Sequence, residues 1–207
     1  MWLVIIAFLI ILTLFLMFLF LRFNINKIIL RKILHIVVCL ICILNNKIYY
    51  EEIGILFIPV IFFFINIVIK KYNIFSFMMR ENEHNGALHL SIIILLTTIL
   101  HCANLINIEF VNYFYFVLAF GDGFSGLTPV IFKNRLTLKN NKSINGFILF
   151  FIFSFLSLFI YNKFTLSLEV GCIFLICLSS AIIELITNNG YDNLFIFVNV
   201  CFILTFM

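Results

Sequence analysis

The chain has 207 residues, of which 65% are hydrophobic and 11% are charged, and its mean hydropathy is +1.24. Soluble domains have about 25% charged residues, and so few charges cannot cover so much apolar side chain in water, which excludes the soluble, disordered, collagen-like and disulfide-scaffold classes. The formal net charge of +4 is too small and too dispersed for nucleic-acid binding. An integral membrane protein remains.

Apolar segments follow one another along the chain, and a membrane-spanning helix needs about 20 such residues. The sequence therefore predicts an all-α, polytopic membrane protein with about eight transmembrane helices, in which residues 1–207 form a single transmembrane domain. The first segment has no basic residue before Trp2, which is a poor match to a cleavable signal peptide. The last segment is short for a full span. The eight segments are residues 1–21, 28–44, 53–69, 87–106, 110–131, 144–161, 166–186 and 194–206.

The basic residues predict the orientation of these spans. If the N-terminus is outside, eleven of the 13 Lys and Arg residues fall in inside loops, and only Lys47 and Lys163 fall outside. Lys and Arg concentrate on the cytoplasmic side of membrane proteins, so we expect both termini to lie outside. The eleven inside residues are Arg22, Lys27, Arg31, Lys32, Lys70, Lys71, Arg80, Lys133, Arg135, Lys139 and Lys142.

An acidic residue flanked by glycines lies inside the fifth segment, in the run Gly121-Asp122-Gly123-Phe124-Ser125-Gly126. A carboxylate within a membrane segment costs about 2.5–3.5 kcal/mol on insertion scales, which makes Asp122 a candidate functional residue. The glycines would let the backbone leave the helix and approach a ligand closely. The flanking apolar runs exclude a Rossmann fold, and Leu127 stands where a Walker A motif has lysine. The alternative is a helix kink with a buried, hydrogen-bonded Asp122.

Basic residues open two of the segments. Ser143 is a predicted N-cap of the sixth segment, and Lys142 beside this helix start would form an anion site, with Gly146 keeping the surface open. Arg31 and His35 are four residues apart and share a helical face, so with Lys32 they could bind phosphate. The alternative in both places is an ordinary basic flank at the membrane surface.

The remaining polar candidates fall on the same predicted side. Glu184 ends the seventh segment, Asp192 follows it, and Arg80 lies in the second inside loop beside Glu81. The three acids Asp122, Glu184 and Asp192 offer carboxylates for Mg²⁺. The four basic residues Arg31, Lys32, Arg80 and Lys142 offer phosphate partners. A nucleotide from the aqueous side could there meet a lipid alcohol from the bilayer, and phosphoryl transfer needs chiefly metal, cations and alignment.

At these residues the sequence resembles the polyprenol kinase superfamily, which includes phytol, farnesol and dolichol kinases and CTP-dependent diacylglycerol kinase. The resemblance runs from about residue 28 to 195, follows the family's order, and is closest to the phytol/farnesol kinase branch. The chain departs from the family at Pro129 and Lys133, where members usually have glycine. The residues that carry the resemblance are Arg31, Lys32, His35, Arg80, Glu81, Gly121 to Ser125, Lys142, Ser143, Gly146, Glu184 and Asp192 to Leu194.

The resemblance implies a membrane-embedded kinase that transfers phosphate, with CTP as donor and Mg²⁺ as cofactor, to farnesol, geranylgeraniol, phytol or a polyprenol from the bilayer. The expected catalytic residues are Asp122, Lys142 and His35, and the expected metal ligands are Asp122, Glu184 and Asp192. Nucleotide and phosphate would be bound by Arg31, Lys32, Arg80, Gly121, Gly123, Ser143 and Gly146.

Three alternatives are compatible with the same residues. A CTP-dependent diacylglycerol kinase would use the same chemistry, and a lipid cytidylyltransferase would release pyrophosphate. A transporter would use intramembrane acids for proton coupling, although no internal inverted repeat is visible in the sequence.

Overall fold

The computed structural model describes residues 26–49, 53–72, 86–132, 137, 142–165, 168–187 and 191–206. The first predicted segment, residues 1–21, lies outside the described residues, as does Arg80 with Glu81.

The described part of the chain is helical, as predicted, apart from one isolated bridge between Thr137 and Ser143. A 3-10 turn over Ile53–Leu56 leads into the second helix. The longer helices are α1 (Lys27–Ile48), α2 (Phe57–Lys71), α3 (Gly86–Cys102), α4 (Ile108–Phe116), α5 (Ile144–Asn162), α6 (Val170–Ile186) and α7 (Asp192–Thr205).

One span is irregular. After α4 the chain continues as a π-helix over Val117–Asp122 and then as short α-helical turns over Gly123–Ser125 and Thr128–Ile131. We name the whole stretch Ile108–Ile131 the central span, because α1, α3, α5, α6 and α7 all pack against parts of it. Among the described helices, this irregular one therefore lies at the centre of the packing.

Four of the helical stretches are long and apolar enough to cross a membrane: Ile28–Ile48, Gly54–Lys71, Ile108–Ile131 and Ile144–Asn162. Three further apolar helices, α3, α6 and α7, are shorter. A membrane protein of several helices is therefore what the described residues support.

Side-chain caps fix where three of the helices begin. The Asn26 side chain accepts the Ile28 amide at 3.0 Å at the start of α1, and the Asn107 side chain accepts the Glu109 amide at 3.0 Å at the start of α4. Ser143 caps α5, as predicted, by accepting an amide of the first turn. Such caps satisfy amides that have no partner within the helix.

The packing separates an apolar core from an apolar outer surface. Val111, Phe114 and Leu118 of the central span are fully buried. On α5, residues spaced four apart remain exposed, among them Ile152 and Leu156. An exposed stripe of this composition is typical of a surface that faces lipid or another apolar partner.

Candidate functional site

A buried ion pair joins α1 to the central span. The Lys32 Nζ donates to both carboxylate oxygens of Asp122, at 2.9 Å and 2.8 Å. Both side chains are largely buried, at 11% and 15% exposure. The pair is therefore charge-assisted and bidentate, which makes it strong and also makes the loss of either partner costly.

His35 lies on the same face of α1, three residues after Lys32. Its Nε2 is 3.2 Å from the Leu118 carbonyl oxygen and 3.3 Å from Asp122 Oδ2. A proton on Nε2 donates to Leu118, and that carbonyl also accepts the Gly123 amide in the π-helical pattern. His35 thus holds the wide turn of the central span beside the Asp122 carboxylate.

A second group of charges joins the ends of three helices. The Lys142 Nζ, just before α5, is 2.5 Å from Glu184 Oε1 near the end of α6. It is also 3.3 Å from Asp192 Oδ2 at the start of α7. Burial disfavours the charge on Lys142, but the carboxylates of Glu184 and Asp192 outweigh it, so the pKa of Lys142 lies above its usual value.

The two groups are near enough to act on each other electrostatically. Lys142 and Asp122 attract each other, and Asp192 acts on His35. The structure therefore brings together six side chains that the sequence places far apart. We call them the charged cluster: Lys32, His35, Asp122, Lys142, Glu184 and Asp192.

The predicted anion sites look different in the structure. Lys32 and Lys142 are held by carboxylates, and neither contact was predicted from the sequence. Arg31, also predicted to bind phosphate, is partly exposed one turn before His35. Arg80, the remaining predicted phosphate partner, lies outside the described residues.

The glycines around Asp122 do not take the backbone out of the helix, which corrects that expectation. The backbone stays helical, with a φ of −54° at Gly123. A Cβ at Gly121 would press on the Phe150 ring, one at Gly123 on Ile36, and one at Gly126 on the end of Lys32. Close packing is therefore what requires glycine here, and phosphate binding by Gly121 and Gly123 stays a prediction.

Gly146 also packs closely, so the expectation that it keeps a surface open is wrong. Its amide donates to the Ser143 Oγ at 3.1 Å. A Cβ would lie 3.3 Å from both the Ser143 and the Thr128 hydroxyls. Gly146 lets α5 start against the end of the central span, which brings Lys142 near the other charges.

The acidic residues of the charged cluster offer part of a magnesium site. Among the described residues, no group of three or more His, Cys, Asp or Glu side chains is arranged to hold a metal ion. Glu184 and Asp192 nevertheless meet at Lys142, and the buried Glu184 Oε2 has no hydrogen-bond partner. Mg²⁺ is often held by one or two carboxylates together with substrate phosphates. Glu184 and Asp192 fit that role, and Asp122, engaged by Lys32, is the further candidate.

The opposite end of the same helices carries a polar cluster that the sequence analysis missed. The Asn46 amide donates to Asn112 Oδ1 at 2.9 Å, and the Tyr113 hydroxyl donates to Asn162 Oδ1 at 2.5 Å. The Tyr161 ring packs edge-on against the Tyr113 ring at 5.4 Å. We call Asn46, Asn112, Tyr113, Tyr161 and Asn162 the amide cluster. Asparagine within apolar runs is the sequence signal that could have found it.

Comparisons of the chain with protein-family models, with curated proteins and with solved structures find no match.

Proposed function

We propose that the protein is a membrane-embedded kinase that transfers a phosphate from a nucleotide, CTP in the first place, to an isoprenoid alcohol. The observation that carries the proposal is the charged cluster, where two lysines, three carboxylates and a histidine meet among apolar helices. The resemblance of the same residues to polyprenol kinases supports this substrate class. Asp122, Lys142 and His35 are the proposed catalytic residues.

The side chains of the charged cluster have separate roles in the proposed reaction. Lys142 and Lys32 are cations that the phosphates of a nucleotide can engage in place of their present carboxylate partners. Glu184 and Asp192 would hold Mg²⁺, which when bound supplies positive charge to the transferring phosphate. His35 fixes the turn that carries Asp122, and so aligns that carboxylate with an alcohol.

The proposed transfer needs one proton acceptor. The alcohol oxygen bonds to the terminal phosphorus, the bond from that phosphorus to the bridging oxygen breaks, and a nucleoside diphosphate leaves. Asp122 orients the hydroxyl group and accepts its proton. Such a reaction depends chiefly on alignment and on charge stabilisation around the transferred group.

The proposal includes eight spans with both termini outside. Cys102 at the end of α3 is exposed and belongs to the outside loops in this topology, whereas Tyr191, next to the charged cluster, is 58% exposed and belongs to the inside. With the partly exposed Cys172 and Cys201 replaced by alanine, a membrane-impermeant thiol reagent should label Cys102 from outside. A cysteine at Tyr191 should react only after permeabilisation. Labelling of both from one side would contradict the topology.

Product analysis tests the activity. Membranes that contain the protein are incubated with labelled CTP or ATP, Mg²⁺, farnesol, geranylgeraniol and diacylglycerol. We expect a prenyl phosphate, formed from CTP at least as well as from ATP. Phosphatidate would identify a diacylglycerol kinase, and a CDP-lipid would identify a cytidylyltransferase. Absence of any lipid product would favour the transporter, and strict dependence on ATP would count against the family.

A further inference from the structure

A contact between two rings joins the start of α3 to the residue before α7. The ring centres of His89 and Tyr191 lie 5.8 Å apart, and the ring planes are inclined by 37°. His89 belongs to the first turn of α3, and Tyr191 immediately precedes the first residue of α7. We call His89 and Tyr191 the aromatic pair.

The aromatic pair is accessible from outside the bundle. Tyr191 is 58% exposed, and His89 is partly exposed beneath it. The imidazole packs against Tyr191 and so restricts the positions that the phenol ring can take, while much of the tyrosine stays uncovered. An aromatic ring that is held in place and exposed is the kind of surface on which nucleobases stack.

The aromatic pair adjoins the charged cluster through the chain itself. Asp192 follows Tyr191 directly, and its Oδ2 is 3.3 Å from Lys142 Nζ. Standard bond lengths therefore place the Tyr191 backbone within about 11 Å of that ammonium group, a distance that an extended nucleoside triphosphate can bridge. Beside Lys142, the buried Glu184 Oε2 has no hydrogen-bond partner, and such an acceptor is stabilised when a ligand supplies a donor or a cation.

A second exposed tyrosine shows what simple anchoring at the membrane surface looks like. Tyrosine is enriched where membrane meets water, so exposure at a helix end does not by itself indicate a ligand. Tyr72, just after α2, is 65% exposed, and its ring lies 5.6 Å from the ammonium group of the preceding Lys71. Tyr191 differs because its ring packs on an imidazole from another helix and because the next residue belongs to the charged cluster.

We propose that the aromatic pair binds the base of the nucleotide, which stacks on Tyr191 while the phosphates reach Lys142. This assignment rests on the proposed kinase function and names the residues that hold its nucleoside. Every base has a π-face, so stacking accepts pyrimidines and purines alike. Tyr191 contacts the base, and His89 acts as a positioning residue that holds the Tyr191 ring.

The test compares the binding of CTP with that of inorganic tripolyphosphate, which carries the phosphates without a base. Dissociation constants of both are measured calorimetrically with the purified full chain in detergent and Mg²⁺. Tyr191→Leu removes the ring, and the loss of one stacked base should weaken CTP binding by roughly five- to a hundredfold. Tripolyphosphate binding should stay unchanged in this variant. Tyr191→Phe keeps the ring and should bind CTP nearly as well as the unchanged protein.

Tyr72→Leu is the matched control and should leave CTP binding unchanged, whereas His89→Leu should weaken it less than Tyr191→Leu does. Unchanged CTP affinity in Tyr191→Leu would overturn the inference. An equal loss for tripolyphosphate would also overturn it, because Tyr191 would then support the phosphate site and not the base.

These measurements separate the nucleotide site from the kinase function, because binding needs no phosphate transfer. A protein that binds CTP through Tyr191 without making prenyl phosphate would refute the kinase function and leave the base site standing. Prenyl-phosphate formation with a CTP affinity that does not depend on Tyr191 would support the kinase function and refute the base site.

Discussion

The same helices pack together at both ends of the bundle, but different kinds of polar side chain join them at each end. At one end α1, the central span, α5, α6 and α7 meet through the charged cluster. At the other end α1, the central span and α5 meet through the amide cluster, where Asn46 donates to Asn112 and Tyr113 donates to Asn162. Asn162 also bonds the backbone of Leu168 just before α6, accepting its amide at 2.7 Å and donating to its carbonyl at 2.8 Å.

This difference indicates which of the polar groups are needed for the helices to pack. Neutral amides and hydroxyls hold the helices together at one end, so docking of these helices does not need buried charge. Buried ion pairs bring a desolvation penalty that their attraction only partly offsets, and intramembrane charges are costly for the same reason. The charged cluster is therefore better explained by chemistry than by stability, and breaking each end separately should separate the two effects.

The largest expected effect is that of Asp122→Asn on turnover. The change is nearly isosteric and removes the carboxylate that we propose orients the alcohol, so prenyl-phosphate formation per inserted protein should fall on the order of a hundredfold or more. Near-normal turnover would remove the centre of the mechanism.

A double variant separates this loss from a loss of folding. Asp122→Asn leaves the Lys32 charge buried without its carboxylate, and removing one member of a buried pair costs about 3–5 kcal/mol. Lys32→Met combined with Asp122→Asn removes both charges and should recover most of the thermal stability measured in detergent. It should not recover turnover, and recovered turnover would assign the pair a purely structural role.

Lys142→Met should have the next largest effect. It removes the proposed phosphate partner and leaves Glu184 and Asp192 without the cation between them. We expect turnover to fall by about tenfold or more, since 1.4 kcal/mol of lost transition-state binding is a factor of ten, with much of the loss in the KM for CTP. Lys142→Arg, which keeps the charge, is the matched control. A change in the KM for farnesol alone would contradict the assignment.

The helices could be predicted from the sequence because long runs of apolar residues coincide with the helical segments. The predicted segment 144–161 is α5, at Ile144–Asn162, and Ser143 caps it as expected. The segment 110–131 is also helical, but its π-helical turn depends on contacts such as that of His35 with the Leu118 carbonyl. Those contacts join residues that are 83 positions apart, and no local pattern encodes them.

The members of the charged cluster were predictable from the sequence, but the ion pairs between them were not. Intramembrane acids and flanking cations mark Asp122, Glu184 and Lys142, because charge is rare and costly in apolar helices. Which lysine meets which carboxylate depends on how the helices pack, and glycines that suggested an open loop serve close helix contacts instead. Asparagines inside apolar runs mark the members of the amide cluster, but which of them pair depends on how the helices pack.

Breaking the amide cluster should lower stability and leave the chemistry unchanged. Asn112→Leu deprives the buried Asn46 amide of its acceptor, and an unsatisfied buried polar group costs about 1–3 kcal/mol. The free energy of unfolding in detergent should fall by that amount, while turnover per folded molecule stays the same. Because replacing both partners of a hydrogen bond removes the unsatisfied group, the double variant Asn46→Leu with Asn112→Leu should be the more stable of the two. A loss of turnover comparable to that of Asp122→Asn would join the two ends into one functional unit.

The smallest effects are expected for two glutamates distant from the charged cluster. Glu169, exposed before α6, makes no side-chain cap, so Glu169→Gln should change stability by about 0.5 kcal/mol or less. Glu109 differs from Glu169 because it accepts the Tyr161 hydroxyl at 2.7 Å. Glu109→Gln keeps an acceptor oxygen but loses the charge that strengthens this bond, and we expect a loss of about 0.5–1.5 kcal/mol. Turnover should be unchanged in both. If Glu109→Gln impaired phosphate transfer while Glu169→Gln did not, the end of the bundle that carries the amide cluster would take part in the proposed reaction, and the division between a catalytic and a structural end would fail.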